Sequence, residues 1–127
     1  MNRREFAVNI SHLLLDMAES GDMPIGDNWN RSAIEQFAFY QVGRKLVCSK
    51  WVVADPSRII TNCDGYIIKG DHQLGRALDI YLVTDDKDGV IIHWEWNKEK
   101  ALFWHYVWEK RYKGKPMIKW DPPHFAG

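Results

Sequence analysis

The stretch LDIYLVTDDKDGVIIHWEW, from Leu78 to Trp96, decides the fold of this chain. An apolar run extends from Leu78 to Thr84, a polar turn follows at DDKDG, and a second apolar run begins at Val90. Two runs of β-branched and aromatic residues joined by a short polar turn with glycine predict an antiparallel hairpin. We therefore place a hairpin, not a pair of parallel strands, in the centre of the sheet.

Three helices are predicted around this hairpin. Apolar residues recur at helical spacing over Arg4–Glu19 and over Asn97–Tyr112, and Asn97 is a suitable N-cap. A third helix begins at a capping box formed by Ser32 and Glu35 and ends near Gly43. Shorter strands are predicted at Trp51–Val53, Ile59–Ile60 and Pro116–Trp120. This order predicts one α+β domain, residues 1–127, with a small central antiparallel sheet and flanking helices.

Charge and hydropathy exclude several classes of partner. The chain has 17 Lys and Arg against 17 Asp and Glu, so no basic field for nucleic acid is expected. Polar residues interrupt the apolar part of the N-terminal segment, which predicts neither a signal peptide nor a membrane span. We expect a monomer, and the sequence leaves open whether Cys48 and Cys63 pair.

A histidine and an aspartate seven residues apart predict part of a metal site. Strand alternation places Asp79 on the face opposite the apolar residues Leu78 and Ile80. His72 precedes this strand in a loop, and Gly75 allows the loop to turn back towards Asp79. Catalytic zinc takes three protein ligands from nitrogen and oxygen donors and keeps a position open for water. His72 and Asp79 are therefore candidates for two of the ligands.

The motif WDPPHF, residues 120–125, supplies the best candidate for a third ligand, His124. Pro122 and Pro123 restrict two backbone φ angles, so Asp121 and His124 are held in a stiff relation. Zinc lowers the pKa of its water to about 7, and a carboxylate beside the metal can accept the proton. Asp121 suits this role of general base.

The remaining histidines are interpreted differently. His12 and His105 lie beside apolar positions of predicted helices, where a structural role is the better interpretation. His93 and Glu95 lie on the polar face of the second hairpin strand, where solvated side chains are the default. For these two residues, support of the metal ligands or an alternative ligand role is the secondary interpretation.

Three ordered blocks of the sequence resemble the LAS peptidases. This family includes D-alanyl-D-alanine carboxypeptidases, phage L-alanyl-D-glutamate endopeptidases and the metal-site fold of hedgehog domains. Residues 31–36 and 40–44 are similar to its RSxxEQ and YxxGR stretch, residues 63–80 to its SxHxxGxAxD motif, and residues 120–125 to its DxxHF ending. The chain departs from the family at Gly70, where serine is usual, and at Ala126, where Glu or Gln is frequent.

The resemblance implies a hedgehog-like or DD-peptidase-like fold and specific roles for individual residues. It implies one zinc ion per chain held by three ligands, His72, Asp79 and His124. Asp121 is implied to be the general base, and Arg31 to bind the substrate carbonyl or a carboxylate, where a guanidinium stabilises developing oxyanion charge. Gln36 is expected to join Arg31 in binding substrate.

The implied activity is hydrolysis of an amide bond in a peptidoglycan stem peptide. Whether the enzyme is an L-Ala-D-Glu endopeptidase or a D-Ala-D-Ala carboxypeptidase stays open. We expect a phage or prophage lysis enzyme, made in the cytoplasm and released to the cell wall on lysis, although a cytoplasmic peptide-recycling enzyme has the same features. The rival interpretation is a non-catalytic zinc module that binds a peptide or a partner protein.

Overall fold

The computed structural model describes residues 1–127. The helices are α1 (Arg3–Glu19), α2 (Ala33–Gln41) and α3 (Lys98–Arg111). The strands are β1 (Pro24–Asp27), β2 (Arg44–Val47), β3 (Lys50–Val53), β4 (Ala77–Asp86), β5 (Gly89–His93) and β6 (His124–Ala126). All strand pairs are antiparallel, so the predicted α+β class and the central β4–β5 hairpin are confirmed.

The longest strand, β4, lies in the middle of the main sheet. On one side it pairs with β1 over Asp79–Leu82. On the other side it pairs first with β6 over Ala77–Asp79 and then with β5 over Leu82–Asp86. The strand that carries His124 therefore lies beside the beginning of β4, and β5 lies beside its end.

The hydrophobic core lies between this sheet and the two long helices. Nine buried residues from α1, β4, α3 and β6 form it: Phe6, Ile10, Leu13, Met17, Leu78, Ile80, Trp104, Trp108 and Phe125. Fully burying a side chain of this kind contributes about 1.5–3 kcal/mol. Since Leu78 and Ile80 face the core, strand alternation turns Asp79 to the opposite face, as predicted.

Helices α2 and α3 begin at the predicted caps, and α1 begins at Arg3, one residue before the predicted start. Ser32 and Glu35 form the capping box of α2, and the Asn97 side chain accepts hydrogen bonds from two backbone N–H groups at the start of α3. A second capping box, formed by Asn2 and Glu5, begins α1. None of these helices is both long enough and apolar enough to cross a membrane.

The predicted strand at Ile59–Ile60 is wrong. β3 pairs instead with β2, through a tight turn in which Cys48 and Ser49 have φ angles of 48° and 65°. Such two-residue turns favour Asn-Gly or Asp-Gly, so the Cys-Ser pair is a weak turn signal. The structure leaves both Cys48 and Cys63 as free thiols.

The predicted strand at Pro116–Trp120 is also wrong. The edge of β4 beside the site is occupied by β6 instead, and Lys115 N–H binds the Ala126 carbonyl at the outer side of β6. β6 has only three residues and follows two prolines, which gives it little strand signal of its own. Strand β1 lacks such a signal too, because it contains Pro24 and Gly26.

Candidate metal centre

Three elements bring the predicted ligands together. Asp79 is the third residue of β4, and His124, the first residue of β6, is its cross-strand partner. Directly opposed residues on neighbouring strands project from the same face of a sheet. His72 comes from the loop before β4, where Arg76 N–H binds the Asp71 carbonyl at 2.8 Å and Gly75 has a φ of +67°.

The three donor atoms form a small triangle. His72 Nε2 lies 3.0 Å from His124 Nδ1 and 3.2 Å from Asp79 Oδ1, and His124 Nδ1 lies 3.3 Å from the same oxygen. A tetrahedral site with metal–ligand distances of about 2.0–2.1 Å places neighbouring donors about 3.3–3.4 Å apart. The triangle thus has nearly the size of one face of such a tetrahedron. This buried group could hold a metal ion.

Burial and charge favour a cation at this point. His72 and Asp79 are only 4% and 8% exposed. Burial by itself would raise the pKa of Asp79, but hydrogen bonds from His124 and His72 and their positive charge hold that pKa well below its usual range. Asp79 is therefore ionised in the folded protein, as a metal ligand must be. The other ring nitrogen of His72, Nδ1, is buried and has no hydrogen-bond partner.

Asp121 lies in the same cleft as the three ligands. A turn closes from Asp121 to His124, whose N–H donates to the Asp121 carbonyl at 3.1 Å. Burial raises the pKa of Asp121, and the negative charge of Asp79 raises it further. A half-buried carboxylate beside a cation site, with an increased proton affinity, has the properties of a general base.

Arg31 and Gln36 form the other wall of this cleft. Arg31 Nη1 donates to Gln36 Oε1 at 3.1 Å, and its guanidinium lies 4.3 Å from the centre of the Phe39 ring. The Gln36 amide is 2% exposed and donates to the Cys63 carbonyl at 2.9 Å. Gln36 therefore orients Arg31 from a fixed, buried position.

The cleft has a volume of about 260 Å³. Its lining includes all the main predicted site residues, namely Arg31, Gln36, His72, Asp79, Asp121 and His124. Ile60, Ile118 and Trp120 add apolar surface, and Trp120 is 66% exposed. Asp71 also lies in the lining, but ion pairs with Arg76 and Lys115 offset its charge. Thr61 and Cys63 line the cleft as well, the former with a hydroxyl hydrogen-bonded to Gln36 and the latter with a free thiol outside the predicted site.

The structure does not bring His93 and Glu95 to this cleft. They line a separate cleft of about 460 Å³, where His93 Nε2 lies 2.9 Å from Thr84 Oγ1. For His93 the reason is the strand register, because β5 pairs with the end of β4 and β6 occupies the position beside Asp79. Glu95 does not lie on the strand at all, because β5 ends at His93 and not at Trp96 as predicted. His93 and Glu95 therefore lie in a different cleft from the three candidate ligands, and the secondary interpretation that they support these ligands is wrong.

Asn28, which the sequence did not indicate as a site residue, lies beside the candidate metal centre. Asn28 Nδ2 lies 3.4 Å from Asp79 Oδ2, the carboxylate oxygen outside the donor triangle. Asn28 follows β1 and has a φ of 50°, a left-handed conformation that asparagine tolerates. The dipeptide Asp27-Asn28 is a turn signal, but only the pairing of β1 with β4 brings it to Asp79.

The packing around Gly70 explains why glycine stands where the LAS motif usually has serine. A Cβ atom at this position would lie 2.9 Å from Gln36 Oε1. The serine that is usual in the family would therefore push against the amide that orients Arg31. Glycine here matches the buried position of Gln36.

We expect Gly70→Ser to destabilise the protein by about 1–2 kcal/mol, because moving the Gln36 amide breaks buried hydrogen bonds. Urea unfolding of metal-free protein measures the change. In a Gln36→Ala background the obstacle is absent, so the same substitution should cost less than half as much. Equal costs in both backgrounds would show that contact with Gln36 is not the reason for glycine.

No family model matches this sequence, and a search of curated proteins finds no relative.

Proposed function

We propose that this protein is a zinc-dependent peptidase of the LAS type that hydrolyses an amide bond in peptidoglycan stem peptides. The observation that carries the proposal is the meeting of a buried His-Asp-His donor triangle with a half-buried carboxylate, Asp121, in one cleft. Two imidazole nitrogens and one carboxylate oxygen suit zinc. The hedgehog-like and DD-peptidase-like fold is part of this proposal.

The metal ligands, Asp121 and Arg31 have separate roles in the proposed amide hydrolysis. Zinc held by His72, Asp79 and His124 would polarise the scissile carbonyl and lower the pKa of water. The Asp121 carboxylate accepts a proton from the attacking water and returns it to the leaving amine nitrogen. Arg31 places its guanidinium where negative charge develops on the carbonyl oxygen, or holds a neighbouring carboxylate.

The cleft also favours a short, partly anionic peptide as substrate. Arg31 is bound only to the neutral Gln36 amide and the Phe39 ring, so its positive charge is free to attract an anion. Both the L-Ala-D-Glu and the D-Ala-D-Ala bond have a carboxylate nearby, and both remain candidates. Release to the cell wall on lysis, with no nucleic-acid partner, is the setting that we propose.

Incubation with purified peptidoglycan fragments tests the function. We expect zinc-loaded protein to produce new termini that mass spectrometry assigns to one type of bond. A chelator should reduce the rate to background, and added zinc should restore it. Fragments with an amidated carboxylate serve as a matched control and should be cleaved more slowly if Arg31 binds that group.

Two other outcomes would overturn parts of the proposal. Protein that binds one zinc ion but cleaves no fragment would be the non-catalytic binding module. Protein that cleaves at an undiminished rate after complete metal removal would exclude the zinc mechanism, whatever the bond.

A further inference from the structure

We propose that His105 is a positioning residue, which orients Asp121 and His124 relative to each other by binding the carbonyl oxygen of Pro122. This inference rests on the proposed metal site and extends it to a residue on helix α3. His105 lies outside the cleft and contacts the segment that carries the site at Pro122 and at Phe125.

The contact is short and completely enclosed. His105 Nε2 lies 2.7 Å from the Pro122 oxygen, and His105 is only 2% exposed. A carbonyl oxygen can only accept a hydrogen bond, so the neutral ring carries its proton on Nε2. The ring also stacks on Phe125, with 4.0 Å between centroids and 7° between planes. Both the position and the tautomer of His105 are therefore defined.

The segment Asp121–His124 needs such an anchor because prolines limit its own hydrogen bonds. Pro122 and Pro123 have no N–H group, and a proline ring restricts φ but leaves ψ free. The Pro123 carbonyl is bound by Ile80 N–H of β4 at 2.8 Å. The Pro122 carbonyl is bound by His105 on α3. Together the two contacts determine the orientation of the peptide planes between the base and the ligand.

The same helix provides a matched control. Trp108, one turn after His105, donates from Nε1 to the Ala126 carbonyl at 2.8 Å and is fully buried. It also binds the C-terminal segment through a ring N–H, but at a point beyond His124, next to the pairing of β6 with β4. Losing this bond should cost stability without turning the peptide planes between Asp121 and His124.

Three variants separate hydrogen bonding from packing. His105→Phe keeps a ring against Phe125 but removes the donor. His105→Gln gives up the ring but places an amide nitrogen near the position of Nε2. Trp108→Phe removes the control hydrogen bond. Zinc affinity is measured by competition with a chromophoric chelator, and thermal unfolding of metal-free protein reports stability separately.

We expect His105→Phe to weaken zinc binding about tenfold, the lower end of the effect of residues that orient metal ligands. His105→Gln should recover part of that loss even if it is less stable than His105→Phe. Trp108→Phe should lower the unfolding temperature but change zinc affinity by less than about threefold, since it orients no ligand.

The outcomes distinguish this inference from the proposed function. Wild-type protein that fails to bind zinc would remove the metal site itself. Zinc binding by the wild type that is unchanged in His105→Phe would overturn the role of His105 alone. Weaker binding in His105→Gln than in His105→Phe, or an equal loss in Trp108→Phe, would show that packing is responsible.

Discussion

His72→Ala is expected to abolish zinc binding and hydrolysis together. His72 supplies one of three donor atoms, and its Nε2 lies within 3.2 Å of the donor atoms of both other ligands. Removing a partner that merely orients a ligand costs about 10–100-fold in metal affinity, and removing the ligand itself should cost more than 100-fold. Metal analysis after dialysis should find one zinc ion per wild-type chain and none in the variant.

His72 is the best ligand for this test because it comes from a loop. Alanine there interrupts no strand pairing, whereas His124 belongs to β6 and Asp79 to β4. The matched control is His93→Ala, which removes a histidine from the separate cleft and should leave zinc content unchanged. Full zinc content in His72→Ala would remove that residue from the site, and loss of zinc in His93→Ala would contradict our placement of His93.

Asp121→Asn is expected to keep zinc but lose most hydrolysis. Asp121 lines the cleft without being part of the donor triangle, so an amide leaves the metal ligands in place. An amide cannot accept the proton of the attacking water, and general-base catalysis typically contributes about 10²–10⁴-fold in rate. We therefore expect kcat to fall by about that factor while zinc content stays at one per chain.

The same substitution should stabilise the metal-free protein at neutral pH. Burial and the charge of Asp79 raise the pKa of Asp121 in the folded state above its value in the unfolded chain. Ionised Asp121 is therefore less favourable in the folded protein than in the unfolded chain. The free energy of unfolding falls as the pH rises from about 4 through the raised pKa. Asparagine has no such cost, so the variant should unfold at a higher temperature at pH 7.

Thermal unfolding of both metal-free proteins across this pH range measures the difference. The gap in unfolding temperature should narrow as the pH falls below the ordinary range of aspartate. An Asp121→Asn protein that retains wild-type kcat would exclude Asp121 as the base. A variant that is less stable than the wild type at pH 7 would show that the carboxylate contributes to the fold.

Much of the scaffold follows from local patterns. The β4–β5 hairpin combines two apolar runs with a polar turn, and the capping box of Ser32 and Glu35 marks the start of α2. Each of these patterns involves only a few neighbouring residues, so the structure that it predicts does not depend on contacts with distant parts of the chain. Strand alternation also predicts correctly that Asp79 faces away from the core.

The short strands follow from their partners instead. β1, β2 and β6 have three or four residues each and include or follow residues that strands disfavour. β1 and β6 are strands because they pair with β4. β6 occupies the edge of β4 beside the site, and Pro116–Trp120 pairs with no strand. The secondary interpretation of His93 as a support of the metal ligands fails for the same reason, since residue type and alternation do not reveal which part of β4 each neighbour pairs with.

By itself, the sequence determined the class of fold and the residues able to bind a metal, because residue type, helical or strand periodicity and turn chemistry are local properties. The tertiary structure alone decided that three of these residues meet within 3.3 Å and that β5 keeps His93 away from them. It also decided that Gly70 makes room for Gln36 and that His105 binds Pro122. Apart from His72 and Asp79, which are close in the sequence, the residues in these contacts are from 17 to 52 positions apart, and strand register and core packing set such distances.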